Sequence, residues 1–152
     1  MQTRREAIKQ SALVAGLLAS TGLFPQYASA AVNKAAFEAK SLADVTKALG
    51  AGAPVASASI MIQAPDIAEN GAVVPVGAAT ALAGVKQMLI VVEKNPTALI
   101  AVFHMSDSVD TSVATRTKMG QSSDVFVVAV MNDGKVLYAK KEVKVTLGGC
   151  GG

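Results

Sequence analysis

The sequence predicts a mainly β fold: an immunoglobulin-like antiparallel sandwich with an N-terminal helix and a flexible C-terminal arm. About seven or eight short segments rich in β-branched residues alternate with turn signals, which is typical of such sandwiches. Apolar residues at helical spacing precede these segments at 31–49, and the last five residues are four glycines around a cysteine. No repeat or linker divides the chain, so we expect one domain over residues 31–147, followed by an arm at 148–152.

The first 30 residues resemble a twin-arginine export signal. Arg4 and Arg5 form the arginine pair, an apolar run follows at 12–23, and Ala28-Ser29-Ala30 offers a small-residue cleavage site. The run is shorter than the roughly 20 residues that a membrane-spanning helix needs. We expect cleavage after this site, export to the periplasm, and a mature protein that is not held in a membrane.

The net charge of +3 belongs partly to the export signal. Without the three basic residues and one acidic residue of that signal, the 14 basic and 11 acidic residues leave a net charge of +1. The mature sequence has no dense lysine and arginine cluster, no tryptophan and few aromatic side chains to stack on bases. We therefore expect no nucleic-acid partner.

The elements are expected in a simple order. The predicted helix at 31–49 ends at Gly50 and Gly52. Strands follow at 57–63, 73–76, 85–92, 99–105, 112–119, 124–131, 136–139 and 141–147. Turns are indicated by Asn70-Gly71, Asn95-Pro96 and Asn132-Asp133-Gly134. Pro75 indicates an edge strand or a bulge, because proline cannot donate a hydrogen bond to a neighbouring strand.

No catalytic or metal-binding set stands out. His104 is the only histidine, and a single histidine on a strand is most often structural. Zinc needs about four ligands, and His104 lies far along the chain from Cys150. The scattered methionines are better explained as core residues, and Asp107, Asp110 and Asp124 as solvated acids. We expect no metal, no cofactor and no catalytic residue.

The C-terminal sequence places one thiol near the end of the chain. Cys150 is the only cysteine, and Gly148, Gly149, Gly151 and Gly152 surround it. Glycine has no Cβ, so such a segment can bend freely and enter narrow spaces. Prenylation requires three residues after the cysteine, and only two follow here. A cysteine that carries a group into another protein's active site suits this pattern, and an intermolecular disulfide is the alternative.

These segments together resemble the SoxY family, the sulfur carriers of thiosulfate oxidation. The terminal Gly148-Gly149-Cys150-Gly151-Gly152 is similar to the swinging arm of that family. Similar inner segments are Ile67 to Gly71, Val74-Pro75, Asn95-Pro96, Thr115 to Lys118 and Asp133-Gly134. The resemblance implies that Cys150 is the covalent sulfur attachment site, that the four glycines give the arm its mobility, and that the protein is not an enzyme.

The resemblance also implies partners. These are a SoxZ-like subunit that forms a heterodimer, a c-type haem enzyme that loads thiosulfate, and a manganese-dependent thiohydrolase that releases sulfate. A sulfane dehydrogenase acts on the remaining sulfur in some systems. Lys135, Lys140, Lys141 and Lys144 lie near the arm in sequence, and we interpret them as a solvated edge rather than an anion-steering group.

Two other functions remain open at this point. The chain could be an exported structural β-sandwich that dimerises through a Cys150 disulfide. It could also be a thiocarboxylate carrier that uses the terminal Gly152, although such carriers need ATP-dependent activation, which export makes implausible.

Overall fold

The computed structural model describes residues 4–6, 8, 10 and 33–147. The chain divides into two compact units, residues 1–32 and 33–152. In the first unit the described residues are helical and exposed, and Arg4 and Arg5 are among them. The second unit contains the sandwich. The predicted division at residues 30 and 147 stays a prediction.

Two short helices replace the single predicted helix. Helix α1 covers Lys34–Glu38 and helix α2 covers Leu42–Ala48. Between them Ser41 adopts an extended backbone, with φ −128° and ψ 159°, and its hydroxyl accepts a hydrogen bond from the N–H of Asp44. Serine favours this capping position because its side chain satisfies an N–H group that the helix leaves unpaired. The prediction of one continuous helix over 31–49 was therefore wrong.

Nine strands follow in the described residues: β1 Pro54–Ala56, β2 Ile60–Gln63, β3 Ile67–Asn70, β4 Val74–Thr80, β5 Val85–Val92, β6 Leu99–His104, β7 Ser112–Thr117, β8 Ser123–Met131 and β9 Val136–Leu147. The strand predicted at 57–63 is shorter than expected, since only its second half forms β2. Strands β1 and β3 were not predicted. The two strands predicted at 136–139 and 141–147 form one strand, β9.

The strands form two sheets, which confirms the predicted sandwich. The larger sheet has the order β1-β9-β8-β5-β6, with β3 also paired to β9, and the smaller has the order β2-β4-β7. Strands β1 and β3 pair with β9 in parallel, and the other pairs are antiparallel. Pro65 lies between β2 and β3, where the chain leaves one sheet for the other.

The prediction for Pro75 was half right. Strand β4 lies between β2 and β7 in its sheet, so it is not an edge strand. Its pairing with β7 continues through Pro75 without a change of register, so there is no bulge at this residue. However, β2 pairs with β4 only from Gly77 onward. Pro75 therefore has a neighbouring strand on one side only, where a missing N–H costs no ladder hydrogen bond.

The larger sheet is covered on both faces. Along β8, Val125, Val127 and Ala129 belong to the core between the two sheets. Their neighbours Phe126 and Val128 belong to a second core beneath the helices, which also contains Leu42 and Val45. Successive side chains of a strand point to opposite faces, so a strand buried on both faces is apolar throughout.

Candidate functional site

The predicted attachment site follows strand β9. Cys150 and the four arm glycines, at 148, 149, 151 and 152, lie outside the described residues. The structure describes the part of the domain from which they extend, which we call the arm end: the end of β9 and the loops beside it.

Strand β9 stays paired with a neighbouring strand up to its last residue, although the neighbour changes along its length. The antiparallel pairing with β8 runs from Val136 to Val143, and the parallel pairing with β3 runs from Lys144 to Leu147. The hydroxyl of Thr146 also donates to the carbonyl of Glu69 at 3.0 Å. The segment that contains Cys150 therefore follows a strand end that β3 holds by pairing on one side.

The loops beside β9 are joined by side-chain hydrogen bonds. The Asn95 amide nitrogen, in the β5–β6 loop, donates to the carbonyl of Lys118 at 2.6 Å. The Asn95 amide oxygen accepts from the N–H of Gly120 at 3.3 Å. The N–H of Val145 donates to the hydroxyl of Ser122 at 2.9 Å. One asparagine and one serine thus connect both loops to the end of β9.

The structure brings together some segments of the predicted resemblance and separates another. Strand β3, Asn95 and Lys118 all lie at the arm end. Asp133-Gly134 lies in the β8–β9 turn, at the opposite end of β9. The sequence analysis did not identify Ser122 as part of the site. The only feature of the sequence that pointed to this residue was its position, as a polar residue just before a predicted strand.

The lysines close to the arm in sequence are mostly paired. Lys135 contacts Asp133 at 2.8 Å, Lys140 contacts Asp124 at 2.9 Å, and Lys141 contacts Asp66 at 3.0 Å; these are ion pairs. The hydrogen bond with Asp124 raises the pKa of the Lys140 ammonium group, and the hydrogen bond from Lys135 lowers the pKa of Asp133. At Lys140 and Lys141 strand β9 pairs with β8 alone, and at Lys144 it pairs with β3 alone. Each of these lysines therefore has one open strand side, as the interpretation of a solvated edge expects, and Lys135, Lys140 and Lys141 are also neutralised locally by their ion pairs.

Other candidate residues do not form a reactive group. His104 is exposed at the end of β6, and its Nδ1 lies 3.4 Å from the side-chain nitrogen of Gln87. Within the described residues, no three His, Cys, Asp or Glu side chains are grouped so that they could hold a metal ion. None of the described helices is long and apolar enough to cross a membrane.

The comparisons with known proteins agree with this architecture. The family described as "Sulfur oxidation protein SoxY" matches residues 45–150. The solved structure of the sulfur carrier protein SoxY from Chlorobium limicola f thiosulfatophilum is 34% identical, with a TM-score of 0.61, over 68% of this chain and 93% of that one. No curated protein matches the sequence.

A superoxide reductase (neelaredoxin) from Ignicoccus hospitalis is 16% identical, with a TM-score of 0.51, over 57% of this chain and 79% of that one. At this identity the likeness concerns the fold alone. The SoxY matches, by contrast, cover most of the chain and confirm a carrier protein rather than an enzyme. The chain belongs to the SoxY family of sulfur oxidation proteins.

Proposed function

We propose that the protein carries sulfur intermediates of thiosulfate oxidation as covalent adducts of the Cys150 thiol. The observation that carries the proposal is the pairing of β9, with β8 up to Val143 and with β3 from Lys144 to Leu147, directly before the Gly-Gly-Cys-Gly-Gly segment. A rigid base and a terminal thiol among glycines allow the cargo to be presented away from the domain. Extended chain spans about 3.3–3.6 Å per residue, so Cys150 can lie roughly 10 Å beyond Leu147.

The thiol would react as the thiolate, which is the nucleophilic form of cysteine. A free cysteine has a pKa of about 8.5, so only a minor fraction is ionised near neutral pH. A carrier tolerates this, because the enzyme that it visits supplies the activation. The four glycines lack side chains, and this thinness suits entry into narrow active sites.

The proposal includes the compartment and the partners. Arg4 and Arg5 would direct export to the periplasm by the twin-arginine route, with cleavage after Ala30. There the carrier would pair with a SoxZ-like subunit. A c-type haem enzyme would attach thiosulfate, a manganese-dependent thiohydrolase would release sulfate, and a sulfane dehydrogenase would act on the remaining sulfur in some systems.

Intact-mass spectrometry tests the attachment site. The protein with its SoxZ-like partner is incubated with thiosulfate and the haem enzyme, and the adduct is mapped by peptide fragmentation. We expect the adduct on Cys150 and none in Cys150→Ser, which keeps the size of the side chain but not the thiol. An adduct that persists in Cys150→Ser would refute the proposal. Activity confined to a disulfide-linked dimer would support a structural protein instead.

A further inference from the structure

Three lysines from separate segments lie around the arm end. Lys94 is in the β5–β6 loop, Lys118 directly follows β7, and Lys144 is the residue of β9 at which the pairing with β3 begins. All three are exposed. We call them the basic rim.

Hydrogen bonds fix the two loop lysines next to each other and next to β8. The N–H of Lys94 donates to the hydroxyl of Ser123 at 3.2 Å, and its carbonyl accepts from the side chain of Gln121 at 3.3 Å. The carbonyl of Lys118 accepts from Asn95, the residue after Lys94. The positions of these lysines are therefore set by the fold, although their side chains are free to move.

The same loops lie close to the point where the arm begins. The N–H of Met119 donates to the carbonyl of Gly71 at 2.7 Å. Gly71 follows Asn70, which is paired with Leu147. Lys118 is thus separated from the end of β9 by the β3–β4 turn alone. Three extended residues span about 10 Å, so a group bound to Cys150 stays within reach of these lysine side chains.

Among the described residues, the rim lysines have no carboxylate partner close by. Elsewhere in residues 33–147, four lysines have carboxylate partners within 4.0 Å: Lys34, Lys135, Lys140 and Lys141. The three rim lysines have no such partner within those residues, and neither do Lys40, Lys47 and Lys86. Glu69 and Glu93 are also at this end, and the Glu93 carboxylate accepts from the N–H of Leu42 at 3.0 Å. Lys40, whose ammonium group donates to the carbonyl of Pro96 in the β5–β6 loop, and Glu142, beside the start of β8, add one charge of each sign. The four lysines and three glutamates at the arm end therefore leave a net charge of +1.

We propose that the basic rim is a resting site for the anionic sulfonate end of cargo attached to Cys150. This inference rests on the proposed function, because it requires a sulfur oxyanion on that thiol. Exposed charge pairs are individually weak and are screened by salt, over about 10 Å at 0.1 M. Tethering gives the cargo a millimolar effective concentration at the rim, so weak contacts are enough for partial occupancy. Weak contacts also let an enzyme remove the cargo.

A chemically loaded protein separates this inference from the function of the pathway. The Cys150 thiolate of the full chain attacks an inner sulfur of tetrathionate. A new S–S bond forms, the central S–S bond of tetrathionate breaks, and thiosulfate leaves with the electron pair. The product, Cys–S–S–SO3⁻, carries a negative charge. Methyl methanethiosulfonate gives a neutral comparison adduct, Cys–S–S–CH3, and releases methanesulfinate.

Amide chemical shifts of the ¹⁵N-labelled protein then report where the cargo rests. We expect the anionic adduct to shift the amide signals of Lys94, Lys118 and Lys144 relative to the neutral adduct, and 0.5 M salt to remove the difference. The triple variant Lys94→Gln, Lys118→Gln and Lys144→Gln should lose it, whereas Lys86→Gln, at the opposite end of β5, should keep it.

A kinetic measurement gives a second readout. At low salt the triple variant should react about threefold more slowly with tetrathionate, because positive charge near the thiol attracts the dianion. Its rate with the neutral reagent should not change.

Identical shifts for both adducts, or a difference that survives in the triple variant, would overturn the resting site. The first result would leave the rim as a surface for an acidic protein partner. Neither the chemical-shift measurement nor the kinetic measurement uses the haem enzyme. Failure of the resting site is therefore distinct from failure of Cys150 as the attachment site in the pathway.

Discussion

At the scale of single residues, the β8–β9 turn shows how one glycine sets a hairpin. The N–H of Gly134 donates to the carbonyl of Met131 at 3.0 Å, and the N–H of Met131 donates to the carbonyl of Lys135 at 2.9 Å. Gly134 has φ +85°, and no residue other than glycine has a positive φ in the described part of the chain. A three-residue hairpin loop typically ends with a residue in the left-handed region, where glycine is favoured.

Replacing Gly134 by alanine tests this turn. A Cβ at this position would meet no atom within 4 Å, so the cost is conformational and not steric crowding by neighbours. We expect Gly134→Ala to lower the free energy of unfolding by about 1 kcal/mol, measured by urea denaturation. Asparagine tolerates the left-handed region better, so Gly134→Asn should lose less. Equal losses in the two variants would contradict the explanation.

At the scale of elements, capping decides where the helices begin. The Ser41 hydroxyl accepts from the N–H of Asp44 at 3.2 Å and donates to its carboxylate at 2.7 Å. Helix α2 then places Leu42 and Val45 against the larger sheet, where both are buried. The cap therefore orients the helix that covers one face of that sheet.

The capping contribution can be measured directly. We expect Ser41→Ala to lower the free energy of unfolding by about 1 kcal/mol, because the N–H of Asp44 loses its partner. Ser41→Thr, which keeps a hydroxyl, should recover most of the loss. Ser59→Ala is the matched control: Ser59 is exposed, and its backbone makes the hydrogen bonds. A similar loss in this control would show that the effect is not specific to the cap.

At the scale of the whole molecule, the cores and the attachment site are separate in the chain. The buried residues of both cores lie between Ala36 and Val143. Folding and sulfur carriage should therefore be separable by truncation.

Deletion of residues 148–152 should leave the free energy of unfolding unchanged within about 0.5 kcal/mol, as for changes away from buried groups. The same deletion should abolish the thiosulfate adduct, since the thiol is removed. Thermal unfolding and intact-mass measurements on one preparation check both statements. A larger loss of stability would mean that the five residues pack against the domain.

The sequence by itself was enough for the β-sandwich, the β8–β9 turn and the candidate thiol. Each depends on local information: alternating β-branched residues, a turn sequence such as Asn132-Asp133-Gly134, or a single cysteine among glycines. Strands 85–92 and 124–131 were predicted nearly to their ends because both are long and strongly apolar.

Only the tertiary structure decided what surrounds the base of the arm. Strand β3 has four residues, of which only Ala68 is buried, and it is a strand because it pairs with β9, 77 residues along the chain from Ile67 to Lys144. Asn95 meets Lys118 through a hydrogen bond between two loops. Such contacts depend on which distant segments become neighbours when the sheets close, and neither residue type nor spacing along the chain encodes them locally.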